Sequence, residues 1–585
     1  MSKMNGYKNN YHLERRFHEF ADLRELLRES SEKYSDKIAF ITKVKGESRG
    51  GHTYINTTYK ELFESLNYLG TALWEKGFAG ERIALIGENS YYWCLGYFAV
   101  ASGLGVVVPL DKLLQKEELE SLLIRSGATA VFCDRKHLDV IEEIKSEGKT
   151  KLKLIIGIDC KPDGGESVMD LLIRGEELVN AGSRDFIDAP IDREALTYLL
   201  FTSGTTSASK AVMLSQKNVM SVNYYMNLEE VFFPDDVSIH LLPLHHCYGM
   251  GGMLIFLSQG ITNVFCDGLK YITINLKEYG VSVMMTVPLL LENMYRKIMK
   301  AVEKQGMTEK VEKAKRMCNT ADKFGIHVRR KVFSAIIEQL GGRMRCLING
   351  AAALDPVVSK GFNDFGILTV QGYGLTECSP TIASESYRYL KPGSVGKMMP
   401  HMDYMIDEPD EAGIGELMVR GDNIMMGYYD DPAATSEVLK DGWLRTGDLA
   451  YFDKDGYLFI TGRKKNVIVM KNGKNVFPEE IENLVNKLSY IEESMVFVRN
   501  KATDSVLWIK AVYSEEYLKE NDMDYEKLEK IFVGDMDKIN QGMPSYKMIK
   551  HFLLSDRPTV KTTTAKTKRN DELREIKKEL KEKGL

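Results

Sequence analysis

None of the eight cysteines in this chain forms a CxxC pair with another. Cys94, Cys133, Cys160, Cys247, Cys266, Cys318, Cys346 and Cys378 are scattered, which argues against a disulfide scaffold or a zinc ribbon and suits a reducing compartment. Positive charge is not in excess either. With 78 lysines and arginines against 83 acidic residues the net charge is -5, and nucleic acid, which calls for a basic face, is not an expected partner. Residues 1–20 are polar and charged and lack the apolar centre of a signal peptide. One run, Tyr91 to Leu110, is free of charge for long enough to span a membrane. Ser102-Gly103-Leu104-Gly105 breaks it, and Val106-Val107-Val108-Pro109 closes it, as in a buried helix feeding a buried parallel strand. The expectation is therefore a cytoplasmic protein with no transmembrane segment.

What is present is an ordinary globular composition, 44% hydrophobic and 28% charged, over 585 residues. That length accommodates a large body and a smaller domain. Tyr59 to Lys76 has helical periodicity, and Arg82-Ile83-Ala84-Leu85-Ile86 and Ala130-Val131-Phe132-Cys133 read as strands. Further strands are expected at Ser238–Leu242, Thr262–Phe265 and Val281–Met285, between helices. Such alternation predicts an α/β fold with helix-flanked parallel sheets. From Gly393 to Gly462 short strands and Gly/Asp turns predict a small antiparallel barrel or sheet. After Arg463 the chain turns α+β and ends in a charged helix, Asp571 to Lys583, read as a solvated face. The expected domains are 1–463 and 464–585.

Several stretches carry chemistry. Thr197 to Phe201 is an apolar strand that runs into Thr202-Ser203-Gly204-Thr205-Thr206-Ser207-Ala208-Ser209-Lys210. A loop of small hydroxyl residues closed by a lysine can wrap backbone N–H groups and an ammonium around phosphate. It is not a Walker A loop, because Ser209 and Ala211 stand where a glycine and a hydroxyl are needed. Leu242-Pro243-Leu244-His245-His246-Cys247 opens an apolar helix, with histidine and cysteine spacing poorly suited to zinc. Leu347 to Asn349 ends in Gly350-Ala351-Ala352, small enough to let a flat ring approach. Gly372-Tyr373-Gly374-Leu375-Thr376-Glu377 offers an aromatic face, a hydroxyl and a carboxylate in one turn. Asp448, in Thr446-Gly447-Asp448, can accept bonds from ribose hydroxyls. Gly462-Arg463-Lys464-Lys465, the loop Gly473 to Pro478 and the basic stretch Lys561 to Arg569 complete the set. Taken singly, each also suits a core residue, a capped helix or a solvated loop.

Taken in order, these stretches resemble the adenylate-forming superfamily, from about residue 20 to 570, and most of all its long- or medium-chain fatty acyl-CoA synthetases. The resemblance implies a large N-terminal domain of two helix-flanked sheets and a small β-barrel, with a smaller mobile α+β C-terminal domain hinged near Lys465. It implies that a carboxylic acid attacks the α-phosphate of ATP, giving acyl-AMP and pyrophosphate, and that coenzyme A then takes the acyl group. By the same resemblance Thr202, Ser203, Gly204, Thr205, Thr206, Ser207 and Lys210 would cradle phosphate, and Glu377 with Thr202 would hold Mg2+. Tyr373, flanked by Gly372 and Gly374, would stack on adenine, with Gly350, Ala351 and Ala352 on its other side. Thr376 would reach the α-phosphate, Asp448 and Arg463 the ribose, and His246 the acyl carboxylate. Lys566 matches the mobile lysine that bridges carboxylate and α-phosphate.

Departures from the family pattern are Ser207, Ser209 and Ala211, where glycine, proline and glycine are usual, and Ala565 in place of glycine before Lys566. Serine restricts a loop that glycine leaves free, which bears on turnover. Two alternatives stay open on the sequence: a ligase that loads a carrier protein instead of coenzyme A, and a non-catalytic nucleotide-binding paralogue. No acidic residue for holding an amino group is evident, which favours a fatty or aryl acid. Peripheral membrane contact and a homodimer are likewise left open.

Overall fold

A computed structural model describes residues 18–45, 51–202, 209–229, 232–470, 474–501, 504–561 and 567–584. Its described residues fall into two compact units. The first holds those up to 202, with 210–403 and 420–442; the second holds 404–419 and most of the chain from 443 onward.

In the first unit the alternation of helices and strands builds two sheets. Among the described residues one has nine strands, whose inner members Leu368–Tyr373, Cys346–Asn349, Val283–Thr286, Val237–His240, Thr262–Phe265 and Ile38–Lys45 run parallel. The other has eight. Its order includes Lys210–Ser215, Leu196–Thr202, Val106–Pro109, Arg82–Ile86, Ala130–Cys133 and Leu154–Gly157. Parallel strands buried on both faces need apolar side chains throughout. Ala84, Ile86, Val108, Val131 and Leu199 supply them in one sheet, and Ile239, Val264, Met284 and Leu347 in the other.

The charge-free run takes the expected form. Helix Tyr91–Ala99 is almost wholly buried, the chain breaks from helical geometry at Ser102 and Gly103, and Val106–Pro109 pairs parallel with Arg82–Ile86. Among the described residues no helix is long and apolar enough to cross a membrane. The expected helix from Tyr59 starts with a capping box, Thr58 and Glu61 exchanging bonds with each other's backbone, and runs to Glu75. Arg82–Ile86, Ala130–Cys133 and Thr262–Phe265 fall where the sequence puts them, whereas the strands at 237–240 and 283–286 are shifted by one or two residues. Ladder pairing with their neighbours, rather than apolar content, sets those ends.

In the second unit Gly415–Arg420, Trp443–Phe452 and Leu458–Arg463 pair antiparallel, the sheet form of the two expected for this region. Beyond it Ile491–Lys501, Asp504–Tyr513 and His551–Ser555 form a three-stranded sheet. Its pleat sorts residues by parity. Val496, Leu507, Ile509 and Leu554 face helices Pro478–Val485 and Tyr525–Gln541, while Met495, Phe497, Trp508 and Leu553 face the last helix, Arg569–Glu582.

That last helix corrects the sequence expectation. It is not merely a solvated face, since Ile576 and Leu580 are buried against the sheet. Glu572 is buried with them and takes the ammonium of Lys510 at 2.8 Å, both side chains being 0% exposed. A high density of lysine and glutamate hid four inward positions at helical spacing.

Candidate active site

The phosphate-loop candidate turns out to close a β-hairpin. Strands Leu196–Thr202 and Lys210–Ser215 run antiparallel, and Thr202 and Lys210 are their last pair, with Thr202 Oγ1 donating to the Lys210 carbonyl at 3.3 Å. In a Walker A loop a helix follows instead. Ser203, Gly204, Thr205, Thr206 and Ser207 lie outside the described residues, as does Lys566.

The hairpin pairs on its other edge with Gly427–Tyr428, Tyr428 opposite Val212. The Lys210 ammonium sits 4.5 Å from the centre of the Tyr428 ring, a cation–π contact. The Tyr428 hydroxyl donates to Glu377 Oε1 at 2.9 Å. Lys210 and Glu377, 167 positions apart in the numbering, are thus joined through one tyrosine that no spacing in the sequence singles out. The only signal is that a buried tyrosine must find a partner for its hydroxyl.

The segment before Tyr428 is laced to the Glu377 turn. Met425 N–H donates to the Glu377 carbonyl at 2.9 Å, and the Asn423 amide donates to the Cys378 and Thr381 carbonyls at 3.1 and 3.0 Å. Asn218 donates to the carbonyls of Asp422 and Ile424 at 2.7 and 2.9 Å from the other side. Side-chain amides that satisfy backbone carbonyls in this way hold a loop without regular structure.

Strand Leu368–Tyr373 delivers the Tyr373–Glu377 turn, and Gly374 allows it to close. A Cβ there would lie 1.8 Å from the Pro380 carbonyl oxygen, so no side chain fits. Thr376 begins a single helical turn, and its Oγ1 accepts from the Cys247 thiol at 3.5 Å. Burial pushes the Cys247 thiol up to about 11, which keeps its proton in place for that bond. Cys247 opens helix Cys247–Ser258, and His246 occupies the preceding cap position. The structure therefore brings Thr376 to the helix that His246 starts. The His246 ring lies 4.2 Å from that of His245, which burial pushes down to about 3, so His245 is neutral.

Gly350 directly follows strand Cys346–Asn349. It is buried, and a Cβ on it would meet the Tyr248 ring at 2.7 Å. Tyr248 is fixed there by donating to the Thr286 and Ile348 carbonyls at 3.2 and 3.1 Å. The small residue makes room for the chain's own aromatic side chain. Exposed surface begins at Ala351, whose φ of 71° is the left-handed conformation that alanine rarely adopts, and continues through Ala352. Backbone strain of this kind tends to persist where a ligand or a packed surround fixes it.

In the second unit Asp448 and Arg463 face each other as a register pair on neighbouring strands, with Arg463 Nε 2.7 Å from Asp448 Oδ1. Gly447, at φ 70°, lies within strand Trp443–Phe452 where its register with Gly415–Arg420 shifts, and the Thr446 hydroxyl accepts the Asp448 N–H at 3.1 Å. The Arg463 side chain stays 37% exposed. Glu416 beside them gathers Arg445 at 2.7 Å and Lys464 at 2.8 Å.

Among the described residues no three His, Cys, Asp or Glu side chains converge as a metal cage. A magnesium ion that arrives on a nucleotide needs only one or two protein oxygens, since phosphate and water complete its octahedron. Glu377, aimed by the Tyr428 hydroxyl, has the donor chemistry such an ion requires.

Comparison with known proteins agrees with this layout. Residues 27–429 match the family model of the AMP-binding enzyme, and residues 465–582 that of the AMP-binding enzyme C-terminal domain. Long-chain-fatty-acid–CoA ligase 5 of Mus musculus is 30% identical over 504 residues, covering 79% of this chain and 71% of its own. Long chain acyl-CoA synthetase 4 of Arabidopsis thaliana is 27% identical over 510 residues, covering 81% and 76%. Among solved structures, ATP-bound MatB from Rhodopseudomonas palustris superposes with a TM-score of 0.71 at 25% identity, covering 95% of this chain and 99% of that one. With both family models spanning so much of it in the expected order, the chain belongs to the AMP-binding enzyme family.

Proposed function

We propose that the protein is an AMP-forming acid–thiol ligase that activates a long-chain fatty acid and transfers it to coenzyme A. In the first step a carboxylate oxygen of the acid bonds to the α-phosphorus of ATP, and the bond to the β-phosphate oxygen breaks, releasing pyrophosphate. In the second the coenzyme A sulfur bonds to the acyl carbon, AMP leaves, and the thiol proton goes to solvent. A carboxylate is a weak nucleophile repelled by a polyanion, so the protein must fix both and offset their charge.

Lys210, with the hairpin loop, would take the β- and γ-phosphates, while Thr376 would hold an α-phosphate oxygen. Tyr373 would stack on the adenine, and Asp448, with Arg463 2.7 Å away, would accept bonds from the ribose hydroxyls. His246 would sit beside the acyl carboxylate, and Lys566 would bridge it to the α-phosphate. Bound on the phosphates beside Glu377 and Thr202, Mg2+ supplies charge neutralisation. A hinge near Lys465 agrees with a C-terminal domain match that starts at that residue.

The observation that supports this reading is the Lys210–Tyr428–Glu377 contact, which joins the ammonium proposed for phosphate and the carboxylate proposed for Mg2+ through one aromatic side chain. Relatives named as CoA ligases favour coenzyme A over a carrier protein, and retention of Glu377, Asp448, Arg463 and Lys566 speaks against a non-catalytic paralogue. The test is a panel of acids with ATP and Mg2+, with and without coenzyme A, following pyrophosphate and acyl-CoA. Pyrophosphate matched by acyl-CoA for long-chain acids is the expected result. Acyl-AMP that accumulates and ignores coenzyme A, or no pyrophosphate from any acid, overturns it.

A further inference from the structure

Residues 288–332 hold twelve lysines and arginines against five acidic residues, in a chain whose net charge is -5. They form helix Pro288–Lys304, helix Thr308–Lys323 and the turns that follow. The second helix directs Val311, Lys315 and Cys318 inward, with the Lys315 ammonium 5.1 Å from the centre of the Phe365 ring. The 3.6-residue period then places Lys310, Lys313, Arg316 and Met317 on the opposite side, all exposed. Met317 is 54% exposed, and at the helix end Phe324 and Ile326 are 78% and 56% exposed.

The acids nearest this face are already used. Glu312 pairs with Lys315 at 2.7 Å and Asp322 with Arg329 at 2.6 Å. Lys310, Lys313, Arg316 and Lys323 have no acidic partner among the described residues, and Glu309 is the one carboxylate left beside them. Four unpaired cations therefore border apolar side chains that lie in water.

We propose that this face docks on an anionic lipid bilayer. Cations beside exposed phenylalanine, isoleucine and methionine match a surface that offers phosphate outside and hydrocarbon just beneath. A nucleic acid would satisfy the lysines but leave Phe324 and Ile326 in water. A second copy of the chain, meeting the same patch about a twofold axis, would press like charges together. With the rest of the chain net acidic, this face gives the protein a preferred orientation on the lipid.

The inference does not rest on the ligase reading, so its test uses the full chain without ATP, acid or coenzyme A. Flotation is measured with vesicles of phosphatidylcholine alone and of phosphatidylcholine with phosphatidylglycerol. The chain is expected to float with the anionic vesicles only, and less so as salt is raised. Lys310→Glu/Lys313→Glu/Arg316→Glu should lower the partition coefficient roughly tenfold or more, and Phe324→Ser/Ile326→Ser should lower it too. Both variants should keep the wild-type unfolding midpoint. Equal flotation with both vesicles, variants that float like the wild type, or a lipid-free dimer that the variants dissociate would overturn the proposal.

Discussion

Two ion pairs in the C-terminal half each join a cation to a carboxylate at nearly the same distance, but in different surroundings. Lys510 and Glu572 meet at 2.8 Å with both side chains 0% exposed, between the three-stranded sheet and the last helix. Arg463 and Asp448 meet at 2.7 Å on neighbouring strands, with the guanidinium 37% exposed. Burial decides the role. A fully buried pair cannot lend a donor to a ligand, and removing one partner strands the other charge in a medium that cannot solvate it. A pair whose guanidinium is partly exposed while its carboxylate is buried keeps donors that a ligand can reach.

The largest effect should come from Lys510→Met. It leaves Glu572 with only Arg557, 4.0 Å away, and Glu579 with Arg557 and Lys583, so the C-terminal segment should lose about 3–5 kcal/mol of stability. Urea unfolding followed by Trp508 fluorescence measures it, and adding Glu572→Gln should restore part of the loss. A single mutant as stable as the wild type would mean that the pair is solvated after all. Asp448→Asn reverses the pattern. The unfolding midpoint should move by less than about 1 kcal/mol, while kcat/KM for ATP should fall roughly 10- to 100-fold, the worth of a hydrogen bond to a charged group. A change in stability with no change in ATP dependence would make Asp448–Arg463 a strut like the other pair.

Tyr428→Phe probes an intermediate case, a carboxylate aimed by a neutral donor. The ring remains under Lys210 while the bond to Glu377 is lost, so the Mg2+ concentration for half-maximal pyrophosphate exchange should rise about 5- to 10-fold. Mn2+ binding in the presence of ATP, read by electron paramagnetic resonance, should weaken in step. Loss of maximal rate without that weakening would assign Tyr428 to packing alone.

The sequence made the strand-and-helix alternation legible because apolar runs and their breaks are local, as at Ser102-Gly103. It also made visible the side chains that would touch a nucleotide, since Lys210, Glu377, Asp448 and Arg463 lie in short ordered stretches. What it hid is non-local. Tyr428 reaches Glu377 across 51 residues and Lys510 reaches Glu572 across 62, and neither end advertises the other. Tyr248 filling the space beside Gly350 is the same kind of contact, and it requires glycine at that position for packing.

Glu385 adds a third kind of buried carboxylate, one with no cation, and it gives the smallest effect, a change of slope. It is 1% exposed, and its oxygens accept the N–H groups of Lys391 at 2.7 Å and Gln371 at 3.1 Å. Burial outweighs those two bonds and pushes its carboxyl up to about 8. A folded-state value above the unfolded value of about 4.3 means that the folded protein holds the proton more tightly. Its contribution to stability is then fully present below that unfolded value, declines as pH rises toward about 8, and is flat above it. Glu385→Gln has no proton to lose, so its urea midpoint should fall less between about pH 5 and pH 8 than that of the wild type. The difference between the two curves cancels every other titrating group. Parallel curves would show that two backbone N–H groups alone can offset the burial of this carboxylate.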